Sequence, residues 1–157
     1  LYSQGLTQGG HADVGFERPF MQQAWCGPDQ EGRIEAAEAA MRYYKSIGKV
    51  IPGSDKNAAA TEQEIAYYKK VQKGLDLLTV EQTLTHGGNF GSAQQVADTI
   101  NVLNEEMGVD HYIGWFNIPT LDRRSALKSM EWFAKEVMPM FRKSEPASAP
   151  ATVAAGG

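Results

Sequence analysis

Several familiar protein classes are excluded by what the sequence has little of. A single cysteine, Cys26, rules out an internal disulfide and leaves nothing resembling a thiolate zinc site. No stretch approaches the roughly 18 consecutive apolar residues of a membrane-spanning helix. The basic segment and apolar core of a signal peptide are also missing. Basic residues are in the minority, 15 against 19 acidic, for a net charge of −4. A nucleic-acid-binding domain would normally carry a clustered basic face. The three histidines, His11, His86 and His111, show no spacing typical of a metal site. With 157 residues, 42% of them apolar and 22% charged, the composition is that of one soluble globular domain. The expected compartment is reducing and cytoplasmic.

Periodicity then gives an order of elements. Leu1 to Leu6 reads as the closing turns of a helix stopped at Gly9-Gly10, as if a longer polypeptide were already under way. Pro19–Cys26 is a short, largely apolar run closed by Gly27-Pro28-Asp29, the pattern of a buried strand entering a turn. A helix is expected from Glu31 to Ile47, with Ile34, Ala37, Met41 and Tyr44 on one face. After a polar connection from Ser54 to Ala60, Thr61 and Glu64 form a capping box opening a second helix that runs to about Thr83. Leu84 to Phe90 holds Gly87-Gly88 and is at best a short extended segment. Ser92 and Gln95 form another capping box, and Gly108 sits where a left-handed C-cap belongs. Val109 to Ile118 is the best strand, apolar on both faces as a doubly covered parallel strand should be. Asp122 opens a last helix with Ala126, Leu127, Met130, Phe133 and Val137 on its buried face, and Pro139 interrupts its end. Residues 144–157 form an Ala/Pro/Ser/Gly tail with no packing face, expected to be disordered.

This alternation is α/β. Two good strands and one doubtful one are too few to give a parallel sheet neighbours and helices on both sides. The expectation is a portion of a larger barrel or doubly wound domain. Within it, Trp115 and Asn117 share one side of the second good strand at its carboxyl end, where α/β barrels build their sites. Trp25 holds the equivalent end of the first strand, with Gln23 two residues earlier on its side. Each of these residues also suits plain core packing. His86, beside Gly87-Gly88-Asn89, is the one histidine kept as a candidate base. The turn into Ser92 offers backbone amides that could cradle an anion, although capping by Ser92 explains most of it. Cys26 reads as a small buried residue.

From Phe90 onward the chain resembles the C-terminal end of the bacterial luciferase-like flavin monooxygenases. The residues that carry this are Gly91-Ser92-Ala93-Gln94-Gln95-Val96-Ala97, Gly108-Val109-Asp110-His111, Trp115-Phe116 and, most specific, the run from Ser129 to Pro139. Pro19 to Tyr44 matches the preceding unit more loosely, so the resemblance covers about residues 18–143. It implies the C-terminal portion of a (β/α)8 TIM-type barrel, with a helical insertion at about 50–83 inside a domain spanning 1–143. It further implies FMN, or a deazaflavin in some branches, at the carboxyl ends of the strands. The implied partners are a small organic substrate, O2, a flavin reductase and, in the full-length protein, a second subunit in a homodimer; neither nucleic acid nor membrane is expected. Carried onto this chain, Trp25, Trp115, Asn117 and Asn89 are the cofactor-facing positions, and His86 stands near a lid. The alternatives are a deazaflavin-dependent dehydrogenase on the same barrel, or a non-catalytic subunit or fragment. A complete barrel takes about 250 residues, so a fragment of this length is expected to bind flavin weakly or not at all.

Overall fold

The computed structural model describes residues 2–11, 17–50 and 61–142. Helix α1 (Tyr2–Gln8) is followed by strand β1 (Pro19–Cys26), helices α2 (Gln30–Val50), α3 (Glu62–Asp76) and α4 (Val80–His86), and the three-residue strand β2 (Asn89–Gly91). Helix α5 (Ala93–Met107), strand β3 (His111–Trp115), helix α6 (Arg123–Trp132), a π turn over Phe133–Val137 and the short α7 (Met138–Phe141) complete the order. The connection from Ser54 to Ala60 and the tail lie outside the described residues. Among the described residues no helix is long and apolar enough to cross a membrane.

The α/β class is observed. All three strands are parallel and lie in the order β2-β1-β3. β1 divides its length between its neighbours: Pro19 to Gln23 pair with His111 to Trp115, and Ala24 to Cys26 pair with Asn89 to Gly91. In-register residues of parallel strands share a face. Trp25 and Phe90 therefore point one way, where they meet Ala36, Ala37, Ala39 and Ala40 of α2 together with Ile118. Cys26 points the other way, into Val96, Ala97 and Ile100 of α5 and Val137 at the end of the π turn. Helices thus cover both faces.

Local chemistry explains most boundaries. The expected capping boxes at Thr61/Glu64 and Ser92/Gln95 are formed, and Gly108 closes α5 at φ 67°. Gly10, also at positive φ, follows α1. The single helix expected from Thr61 to about Thr83 is two helices. Thr79 and Gln82 make a further capping box that starts α4 afresh, and Thr83 Oγ1 donates back to Thr79 O. α2 runs through Gly48 instead of stopping near it. Gly48 is buried where a Cβ would stand 3.3 Å from Leu75 Cβ, so its smallness lets α3 approach α2.

Two expectations fail. β3 is shorter than Val109 to Ile118 and is not covered on both faces: Ile113 is 43% exposed, as its β1 neighbour Met21 is at 61%. In α6 the buried residues are Ala126 and Ser129, whereas Leu127 and Met130 face solvent. The helix is rotated because Ser129 has a task. β3 pairs with β1 only as far as Gln23, and the Cys26 N–H donates instead to Ser129 Oγ at 2.6 Å. Pro139 accounts for the π turn. It has no N–H for the Lys135 carbonyl and its ring crowds that oxygen. The helix widens, and the Met138 N–H reaches Phe133 O five residues back.

Ser129→Ala leaves the buried Cys26 N–H without an acceptor. It is expected to destabilise the chain by about 1–3 kcal/mol, measured by urea unfolding.

Candidate functional site

Ligands of open α/β sheets bind outside the carboxyl ends of the strands. At that end two helices begin side by side, each capped by an aspartate. Asp29 Oδ1 accepts from Gly32 N, and Asp122 Oδ2 accepts from Arg124 N at 2.8 Å and Ser125 N at 3.1 Å. Between them lies a cleft of about 650 Å³. Glu31, Glu35 and Glu38 join the two aspartates along it, against Arg124 and Lys128. Its field is therefore acidic, and the helix N-termini already have their counter-charges. The cleft adjoins a smaller cavity of about 350 Å³ that shares Asp29, Ser125 and Lys128 with it. The smaller cavity is walled by Trp25 and Trp132, with Cys26 and Ser129 between them.

Close packing locks Trp25. Its indole is 3% exposed, and a Cβ on Gly32 would come within 2.6 Å of Trp25 Cζ2; one on Gly27 would meet Trp25 Cη2 at the same distance. Neither position accepts a larger residue without moving the ring. Beneath it, Gln23 is 2% exposed, and both Oε1 and Nε2 lack a hydrogen-bond partner, as does Trp25 Nε1. Three unpaired polar atoms on one strand are a concentrated departure from the rule that buried polar groups are satisfied.

The positions singled out in the sequence do not gather at this cavity. Only Trp25 lines it. Trp115 is half-buried against Tyr43, ring centroids 5.2 Å apart and nearly perpendicular. Tyr43 lies eleven residues beyond Gly32, about 16 Å along α2 at 1.5 Å per residue. The two indoles share a face of the sheet without walling one space. Asn117 is exposed beyond β3. Asn89 is buried and its Nδ2 donates to Val96 O at 3.1 Å, tying β2 to the helix that follows. His86 ends α4 in solvent. The glycine turn is engaged too: Gly87 N donates to Thr83 O, Ser92 N to Gln95 Oε1, and Gly87 O accepts from Tyr44. Its anion-cradling reading loses those amides.

Lys128, Ser129 and Trp132, of which the last two fall in the run that carries the resemblance, line the cavity although none was a candidate site residue in the sequence. They lie with Ser125 on one side of α6, at the three- and four-residue spacing that marks a helical face. The apolar positions Leu127 and Met130 draw attention to the wrong face. On the opposite surface of the sheet, Tyr112 receives a hydrogen bond from Gln22 Nε2 at 3.3 Å and stacks on Phe133. Burial raises the Tyr112 hydroxyl pKa, opposed by hydrogen bonds with Gln22 and Asn89.

The thiol of Cys26 is pushed up to about 11, by burial and then by the Glu136 carboxylate. Folding holds the proton, so the unfolded chain, titrating near 9.0, ionises first. The contribution is full below pH 9 and is lost as pH rises toward about 11. Urea unfolding between pH 9 and 11 is expected to show a smaller loss in Cys26→Ala than in the wild type, the remainder coming from groups such as Tyr44 and Tyr112 whose hydroxyl pKa burial also raises. A second expectation concerns Gln23. Replacing an unpaired buried amide by an apolar group of similar shape removes a desolvation penalty, so Gln23→Leu should leave the melting temperature unchanged or raise it. A fall of several degrees would show that the amide has a partner.

No protein-family model matches this chain, and no curated protein is significantly similar to it.

Proposed function

We propose that the chain is the C-terminal part of a luciferase-like flavin-dependent monooxygenase acting on a small organic substrate. One observation carries the reading: the stretches that resemble that family, β1 with its turn and the helix around Ser129-Met130-Glu131-Trp132, are the ones that build the cavity at the carboxyl end of β1. Two indoles suit a flat aromatic ring system, and the Lys128 ammonium suits an anionic group at its edge. The acidic cleft beyond does not suit a phosphate, so the phosphate of FMN would be held by other residues. When bound, reduced flavin supplies the electrons that activate O2. This chain's own part is narrower. Trp25 and Trp132 would orient the ring and exclude water, and Lys128 would place a positive charge beside it.

The barrel asks for a different strand order. In a closed barrel, consecutive strands are neighbours and all helices lie outside. The β1–β2 pairing is common to both arrangements; β3 beside β1 and helices on both faces are not. A barrel therefore requires β3 to pair on the far side of β2 when further strands are present. The scattering of Trp115, Asn117 and Asn89 away from the cavity favours a second reading, a non-catalytic subunit on the same architecture.

Titrating FMN and a deazaflavin against the chain, followed by flavin fluorescence, tests the cavity. Weak, saturable quenching that Trp132→Ala abolishes and His86→Ala leaves unchanged is expected. No quenching, or quenching indifferent to Trp132, contradicts the site. Preference for the deazaflavin would move the activity to a dehydrogenase.

A further inference from the structure

The two walls of the 650 Å³ cleft carry opposite charge. Asp29, Glu31, Glu35 and Glu38 stand on the α2 side, Arg124 and Lys128 on α6. Most of the carboxylates already have a task. Asp29 caps α2 and Asp122 caps α6, Glu31 sits in the favourable first turn of α2, and Glu38 pairs with Arg42 at 3.7 Å. Glu35 is left. It lies exposed between Glu31 and Glu38 on one helix face, a spacing at which like charges destabilise the helix. Among the described residues it makes no ion pair, and neither do Arg124 and Lys128 across the cleft. Unpaired opposite charges on facing walls suit a ligand that carries both signs itself.

A metal ion does not suit the cleft: among the described residues no three carboxylate, imidazole or thiol groups lie close enough to hold one. The volume is that of a small-molecule site, and Ile34, 37% exposed, gives the α2 wall an apolar patch. We propose that the cleft binds a zwitterion, an α-amino acid with an apolar side chain, its ammonium against Glu35, its carboxylate against Arg124 and its side chain against Ile34. Glu35 and Arg124 are both long and exposed, so they can close on the adjacent charges of one small molecule. The planar fork of Arg124 can donate to both carboxylate oxygens at once. Lys128, shared with the smaller cavity, stays with the ring. That this zwitterion is the substrate rests on the flavin reading of that cavity; that it binds does not.

Backbone-amide NMR shifts of the 157-residue chain, titrated in turn with L-phenylalanine, phenethylamine and 3-phenylpropionate, read each charge separately. L-Phenylalanine is expected to bind about five-fold more tightly than either relative, with shifts centred on Glu35 and Arg124. In Glu35→Gln its advantage over 3-phenylpropionate should vanish while its advantage over phenethylamine survives. Arg124→Gln should do the reverse. Both side chains are in solvent, so circular dichroism should not change in either variant. Equal affinity for the three compounds overturns the proposal, as do shifts centred away from the cleft or a Glu35→Gln variant that weakens all three alike. The FMN titration is read independently. Amino-acid selectivity without flavin quenching removes the flavin reading and upholds this site; quenching without selectivity does the opposite.

Discussion

The structure depends on one strand. Among the described residues β1 alone has strand neighbours on both sides, and it is shared lengthwise: β3 holds its amino half and β2 its carboxyl half. Each partner therefore leaves part of β1 unpaired. At Cys26 the vacancy beside β1 is filled by a hydroxyl, Ser129 Oγ, in place of a strand. That bond fixes the rotation of α6, and the rotation brings Trp132 and Lys128 to the carboxyl end of β1 while turning Leu127 and Met130 outward. The cavity follows from a backbone N–H in need of an acceptor.

The two apolar clusters follow from the same strand. Alternate residues of β1 face opposite helices: Trp25 meets the alanines of α2, and Cys26 meets Val96 and Ile100 of α5. The alanines let α2 lie close enough for Gly32 to touch the Trp25 ring. Toward the amino end this covering stops, leaving Met21 and Ile113 in solvent. Among the described residues the sheet is covered at its carboxyl end and exposed at its amino end. Burial is greatest where the cavity sits, so ligand binding there would act on the best-ordered part of the chain.

Local signals were legible in the sequence; tertiary phase was not. The strand at Pro19–Cys26, the capping boxes at Thr61 and Ser92 and the left-handed Gly108 all follow from side-chain chemistry within a few residues. The Thr79/Gln82 box was present in the same code and was hidden by Leu75, Leu77, Leu78 and Val80, which mimic a continuing helix. The buried face of α6 could not be read from hydrophobicity because a serine, not a leucine, was required at position 129. For the same reason Trp132 was not expected beside the cavity, while Asn89 and Trp115, at strand ends, lie away from it with Val96 and Tyr43 as their contacts. Strand order was invisible as well, since pairing partners are set by contacts distant in sequence.

Residue-resolved native-state hydrogen exchange tests the primacy of β1 most directly. The amides of Gln22 to Cys26 are expected to exchange slowest, in step with Val96 to Ile100 and only through global unfolding, with those of α3 opening first. If the β1 amides exchange as fast as those of α3, or if β3 is protected while β1 is not, the central strand does not hold this fold together.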